Sequence, residues 1–332
     1  MKPPFSITNK ILSLVMEITD KVTRLEIEKE RNLKLRKENR IRSIHSSLAI
    51  EQNSLSVEQV TAIIEGKRIL GAPEEIREVQ NAYQAYEKVF TLDPYSIKDF
   101  LTAHGLMTDE LVKSSGAFRS SNVGVFNSSG KLIHPGANPQ FVPELVENLL
   151  KWAVQDDSPE LIKSCVVHFE IEMIHPFTDG NGRMGRLWQS LILSKWRSIF
   201  EWLPVETIVH ENQQGYYRAL TQSGNENDST SFIEFMLEMI LKTVQEVSLQ
   251  RVSDKVSDKV SDKILAQLTE AEQDFLMLIF PVVRKAEGIS NKEATALSGK
   301  SAATVRRYFS KLVELGLLEA KGQNKSRRYF LA

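Results

Sequence analysis

Residues 175–186 read His175-Pro176-Phe177-Thr178-Asp179-Gly180-Asn181-Gly182-Arg183-Met184-Gly185-Arg186. They separate two stretches of helical period, 160–174 and 183–199. Pro176 cannot continue a helix and restrains the residue before it, so the first helix ends at His175. Asp179-Gly180-Asn181-Gly182 then makes a tight turn that opens the second. The pattern is that of a helical protein with a loop built between two apolar helices.

The residue types in this loop belong to one chemistry. Glycines let a ligand come close to the backbone. The N–H groups at a helix start are unpaired and sit at the positive end of the helix dipole, which makes an anion site. Arg183 and Arg186 are three apart, share a helix face, and carry forks suited to phosphate oxygens. Asp179 is a hard oxygen ligand of the kind Mg²⁺ takes. His175 can accept a proton near neutral pH. A base, a metal ligand, a phosphate nest and two arginines within twelve residues meet the needs of phosphate-ester transfer. The plain alternative is a surface corner between helices, and the combination argues against it.

The stretch resembles the signature of the Fic family, His-x-Phe-x-(Asp/Glu)-Gly-Asn-Gly-Arg-x-x-Arg, at every fixed position. The resemblance covers roughly residues 40–245. It implies a mainly α fold, a helical core with one β-hairpin flap, and transfer of AMP from ATP to a Ser, Thr or Tyr hydroxyl of a protein. It further implies that His175 is the general base, that Phe177 packs into the core and fixes the loop, and that Asp179 binds Mg²⁺. Gly180, Asn181 and Gly182 would hold the α- and β-phosphates, Arg183 the phosphates and Arg186 the γ-phosphate, with Met184 and Gly185 included in the nucleotide site. Tyr216-Tyr217 resembles the family's tyrosine pair beside the adenine, with Tyr217 assigned to the nucleotide and at least one of the two free to be core. Asn225 is assigned near the base.

Two further segments fit the same family. Val123-Gly124-Val125-Phe126-Asn127-Ser128-Ser129-Gly130-Lys131-Leu132-Ile133-His134 has β-prone runs around a turn. It matches the flap, which would align a target segment as an added strand through Val123, Gly124, Val125 and Phe126; a decorative hairpin is the alternative. Ser47-Leu48-Ala49-Ile50-Glu51-Gln52 resembles the family's inhibitory motif, (Ser/Thr)-x-x-x-Glu-(Gly/Asn). Glu51 would pair with Arg186 and withdraw it from the γ-phosphate, while Ser47 supports the inhibitory helix. The alternative is an exposed helix-end glutamate. Gln52 departs from the family pattern.

The remaining sequence sets the frame. Residues 8–44 read as helix with a solvated charge run at 26–31, and further helices are expected over 57–65, 73–91 and 142–154. Val-Ser-Asp-Lys occurs three times over 252–263, which suits a helical linker. The expected organisation is an N-terminal helical region 1–110 carrying the motif 47–52, a core 111–247 with flap 123–134 and catalytic loop 175–186, a linker 248–267, and a C-terminal unit 268–332. In the last, helices over 270–284, 291–297 and 301–315 precede short strands at 317–320 and 328–331 around a turn at 322–325, resembling a winged helix-turn-helix. Between 300 and 328 there are eight Lys/Arg against Glu314 and Glu319. That basic stretch fits phosphate contact and major-groove docking; protein contact is the other use of such units.

The bulk numbers narrow the classes. The chain has 332 residues, is 42% hydrophobic and 26% charged, and carries a net charge of −1. Nothing global argues for nucleic acid. The single cysteine, Cys165, lies in an apolar run and is expected to be buried and inert. No signal-peptide core and no apolar run long enough to span a bilayer are present, so a cytoplasmic protein without membrane contact is expected. The other five histidines lack ligand spacing, which argues against zinc. The resulting expectation is a protein adenylyltransferase using ATP and Mg²⁺, braked by Glu51, acting on an unidentified target protein and on itself, with DNA as a further partner and a homodimer as a reasonable assembly. The competing readings are a DNA-binding regulator that mainly modifies itself, and an enzyme of the same fold that uses another nucleotide or removes AMP.

Overall fold

The computed structural model describes residues 2–27, 33–126, 132–259, 267–283, 288–323 and 327–331. The charge run near 28–32, the flap turn 127–131, the end of the Val-Ser-Asp-Lys repeat and part of the turn at 322–325, with Lys325, lie outside the described residues. The chain divides into two compact units, Met1–Val244 and Gln245–Ala332.

The first unit is helical. α1 (Asn9–Ile27), α2 (Leu33–Ile50), α3 (Val57–Ile64), α4 (Pro73–Val89) and α5 (Ile97–Thr108) come first. A two-stranded hairpin follows, β1 (Gly124–Phe126) and β2 (Leu132–Pro135), then α6 (Val142–Gln155), α7 (Glu160–Ile174), α8 (Asn181–Trp196), α9 (Val205–Glu211), α10 (Gln213–Glu226) and the start of α11 (Thr230–Lys259), whose later residues belong to the second unit. α7 and α8 form the centre. Nearly every side chain of α7 from Leu161 to Ile174 is buried, and so is α8 from Arg183 to Ser194. A helix apolar on most faces needs neighbours on most faces, and α5, α6 and α4 supply them. Residues 2–110 and the stretch that follows them therefore share one core.

Local signals set several boundaries. Ser56 caps α3 in a capping box with Gln59. Pro73 starts α4 at its first turn. α2 runs six residues past the end expected from the sequence, because Ile41, Ile44 and Leu48 keep a helical spacing into the core. Ser47 therefore sits in its last turn, and the helix stops where Gln52 takes φ 73. The hairpin pairs Gly124 with Pro135, Val125 with His134 and Phe126 with Leu132, with a bulge between Val125 and Phe126.

The second unit holds α12 (Glu270–Val283), α13 (Asn291–Ser298) and α14 (Ala302–Glu314), with strands β3 (Ile289–Ser290), β4 (Leu318–Lys321) and β5 (Arg328–Leu331). The sheet is antiparallel in the order β3-β5-β4. β3 was not expected: two residues are too few to show alternation. Phe275, Ile279, Phe280, Val305, Phe309 and Leu312 form its core with Tyr329, whose ring stacks on Phe309 at 3.8 Å. Capping boxes or caps at Ser290 and Ser301 fix the starts of α13 and α14, and Gly299 turns the chain between them at φ 65. No helix among the described residues is long and apolar enough to cross a membrane.

Candidate active site

α7 ends in an unusual conformation. His175 takes φ 53, ψ 61 while its N–H donates to the Ile171 carbonyl at 2.9 Å. A non-glycine residue held left-handed costs of order 1–2 kcal/mol, so its surroundings must hold it there. Arg119 does so. Its Nε donates to the His175 carbonyl at 2.6 Å, Nη1 to Ser121 O at 2.7 Å, and Nη2 to Ala137 O, while its own N–H donates to Pro176 O at 3.0 Å. One buried guanidinium thus ties the loop to the root of the hairpin. The sequence carried no signal for this role, because Arg119 lies in no motif.

The His175 ring is oriented by its own helix. Nδ1 lies 3.3 Å from the Glu172 carbonyl. A carbonyl only accepts, so Nδ1 bears the hydrogen and Nε2 keeps a lone pair. Beyond it, Phe177 is fully buried and stacks on His104 at 3.6 Å. Gly116 N donates to His104 Nδ1 at 3.0 Å, leaving His104 Nε2 to donate to the Asp179 carbonyl at 3.1 Å. Burial lowers the His104 pKa to about 4, keeping it neutral in this role. His104 is a loop support that no motif reveals.

Asn181 differs from its expected role. Its Oδ1 accepts from Phe177 N and its Nδ2 donates to Phe177 O, both at 2.9 Å. The side chain closes the loop on itself through Phe177. Arg183 also differs. It is buried, bonded to Asp179 Oδ2 at 2.9 Å and to Glu78 at 3.4 Å, and it does not line the cavity described below. Met184 and Gly185, included in the nucleotide site, face the core: Met184 is fully buried, and a Cβ at Gly185 would meet the His168 ring at 2.6 Å. The place of Gly185 on α8 turns it away from the loop toward α7.

Arg186 is held from three directions. Its Nε donates to Ser47 Oγ at 3.1 Å, and its Nη2 donates to the Ser47 carbonyl at 3.0 Å and to Glu51 Oε1 at 2.7 Å. Burial opposes its charge, but Glu51, Tyr216 and Glu172 beside it hold its pKa above the ordinary arginine value. The Glu51 carboxylate also lies over the start of α8. A Cβ at Gly182 would come within 2.4 Å of Glu51 Oε1, so only glycine admits the carboxylate at this depth. An acidic oxygen therefore occupies the positive end of α8, beside the arginine.

These residues line a cavity of about 670 Å³, within the range that encloses small ligands. His175, Asp179, Gly180, Asn181, Gly182 and Arg186 contribute from the loop and α8, Tyr217 and Asn225 from α10, and Glu51 from the end of α2. The tyrosine pair divides as the helix geometry requires: Tyr216 is core, while Tyr217 is 46% exposed. Tyr217 OH and Gln213 Nε2 both donate to the Ile50 carbonyl, at 3.3 and 3.0 Å. Val123 and Gly124 are half-buried at the hairpin root; Val125 and Phe126 are placed in β1 as backbone. Asp179 has a 57% exposed side chain beside the anion site. Among the described residues no cluster of three or more His, Cys, Asp or Glu could hold a metal alone. A Mg²⁺ that takes one carboxylate and otherwise phosphate and water oxygens fits this single half-exposed donor.

Comparison with known proteins agrees with this geometry. The Fic/DOC family profile matches residues 94–193. A crystal structure of a Fic family protein from Desulfovibrio desulfuricans G20 superposes over 100% of this chain and 98% of its own, with a TM-score of 0.72 and 37% identity. The chain belongs to the Fic family. Fic-1 (aa134 - 508) from C. elegans has the same fold over 73% of each chain, with a TM-score of 0.61 and 22% identity. Among curated proteins, the protein adenylyltransferase Fic of Nematostella vectensis is 26% identical over 63% of this chain and 48% of its own length. Protein adenylyltransferase fic-1 of Caenorhabditis elegans is 27% identical over 74% of this chain and 47% of its own. The chain thus spans about half the length of the curated relatives it matches.

Proposed function

We propose that this protein is an adenylyltransferase that moves AMP from ATP to a hydroxyl of a protein, itself included, and that Glu51 brakes it. The observation that carries the reading is the His175 ring, with Nδ1 turned to a carbonyl and Nε2 free, beside an anion site at the start of α8. Nε2 takes the proton of the target hydroxyl, whose oxygen attacks the α-phosphorus; the bond to pyrophosphate breaks and pyrophosphate leaves. The first N–H groups of α8 hold phosphate oxygens, and Arg186 holds the γ-phosphate once released from Glu51. Asp179 would hold Mg²⁺, which neutralises phosphate charge when bound. Arg183 orients Asp179 through its 2.9 Å bond. Tyr217 and Asn225 line the cavity and would face the base. The hairpin offers a target segment an edge through Gly124–Phe126.

The brake follows from charge and space together. Glu51 pairs with Arg186 and fills the position over Gly182 that a phosphate needs. Incubation with Mg²⁺ and α-labelled ATP tests both roles. Glu51→Gly is expected to raise label on the protein at least tenfold, and adding His175→Ala to abolish it. No label with Glu51→Gly would sink the reading. Intact mass separates the alternatives: gain of AMP, gain of another nucleotide, or loss of AMP from a modified protein.

For the second unit, the exposed Arg306 and Arg307 of α14 favour a winged helix that contacts DNA phosphates.

A further inference from the structure

Glu206 of α9 is 3% exposed and lies outside the motifs of the site. Its Oε1 accepts from Tyr86 OH at 2.8 Å and from Ser190 Oγ at 3.2 Å, and its Oε2 accepts from Ser43 Oγ at 3.0 Å. The neighbouring Thr207 Oγ1 accepts from Ser46 Oγ at 3.2 Å. Four helices therefore meet at this pair of residues: α2 through Ser43 and Ser46, α4 through Tyr86, α8 through Ser190, and α9 itself. Ser190 stands one turn beyond Arg186 on α8. Ser43 stands one turn before Ser47, which binds Arg186, and Ser46 stands next to it. A small cavity is lined by both Arg186 and Glu206.

We infer that Glu206 is a positioning residue for the brake, fixing the axial register of α2 so that Glu51 meets Arg186. This rests on the reading of Glu51 given above. Apolar packing holds α2 to the core but is non-directional. A slip of one residue would move Glu51 by about 1.5 Å along the helix, enough to break a 2.7 Å contact. Hydrogen bonds to a carboxylate are directional and among the stronger ones. Buried hydroxyls and a buried carboxylate must find partners, and on this face of α2 Ser43 and Ser46 find them at Glu206 and Thr207. The register is thus set by polar contacts separate from the ion pair they serve.

The full chain is compared as wild type, Ser43→Ala/Ser46→Ala, Glu206→Ala and Glu206→Gln, each with and without Glu51→Gly. Amide hydrogen exchange is followed over 43–50, together with label from α-labelled ATP. The serine double variant and Glu206→Ala are expected to speed exchange in α2 about tenfold and to raise labelling only where Glu51 is present. Glu206→Gln should stay near wild type, since its amide oxygen still accepts from Tyr86 and Ser190 and its NH₂ can donate to Ser43. Unchanged α2 exchange in the folded serine variant would overturn the proposal. So would exchange that rises equally in α7 and α8, or labelling that rises by the same factor without Glu51. Label absent even with Glu51→Gly would instead count against the transferase reading, and α2 exchange would still decide the role of Glu206.

Discussion

At the scale of single residues, Gln52 and His104 carry the clearest consequences. Gln52 holds φ 73 just beyond the end of α2, a region that glycine enters freely and L side chains enter at a cost. Gln52→Gly is expected to stabilise the protein by up to about 1 kcal/mol and to lower its residual labelling. A thermal melt beside a labelling time course checks both. His104 is fully buried between a donor to Nδ1 and an acceptor at Nε2, and its pKa falls from the ordinary 6.5 to about 4. The unfolded chain therefore binds that proton first as pH falls. The stabilisation is complete above about pH 6.5 and is lost progressively toward pH 4, about 3 kcal/mol in all. Urea midpoints across that range should drop for wild type and flatten with His104→Gln. His175, the Asp179–Gly182 turn and the Glu51 partner of Arg186 were legible because they sit in short contiguous motifs. Arg119, His104 and Glu206 were not, because each acts on residues that only the fold brings near.

At the scale of elements, α8 does two jobs on two faces. Its first turn faces the cavity, and the side bearing Gly185 lies against α7. Sequence spacing placed both arginines on one face, but it could not tell that Asp179 and Glu78 would engage Arg183 and remove it from the cavity lining. Likewise the fixed Asn181 reads as a ligand contact from its motif, whereas its side chain closes the loop around Phe177. The close approach of α7 and α8 makes a sharp prediction. Gly185→Ala puts a methyl 2.6 Å from the His168 ring, an overpacking that should cost about 1–3 kcal/mol. Its denaturation midpoint should fall without a change in the labelling ratio between Glu51 and Glu51→Gly backgrounds.

At the scale of the whole molecule, a helical unit carrying the Fic motif and a second unit share one chain. Most helices of both were legible from period and caps. β3 and the last turn of α2 were not, since the first is too short and the second continues a pattern that polar residues interrupt. In the second unit several basic residues are already engaged: Lys311 with Glu272, Arg328 with Glu293, and Lys321 with Glu319. The exposed Arg306 and Arg307 are then the residues to test for duplex contact. If each touches a phosphate, Arg306→Ala and Arg307→Ala should each weaken binding to a DNA duplex and reduce the slope of log K against log salt by about 0.9. Slopes equal to wild type would leave protein contact as the use of this unit.

Cys165 is the only thiol in the chain, fully buried in α7, and burial pushes its pKa up to about 12. The native protein is therefore silent to thiol-directed dyes and spin labels. One cysteine introduced at the end of α2 would be the sole reactive position, so that helix could be watched spectroscopically as nucleotide is added, without first stripping the molecule of competing sulfur.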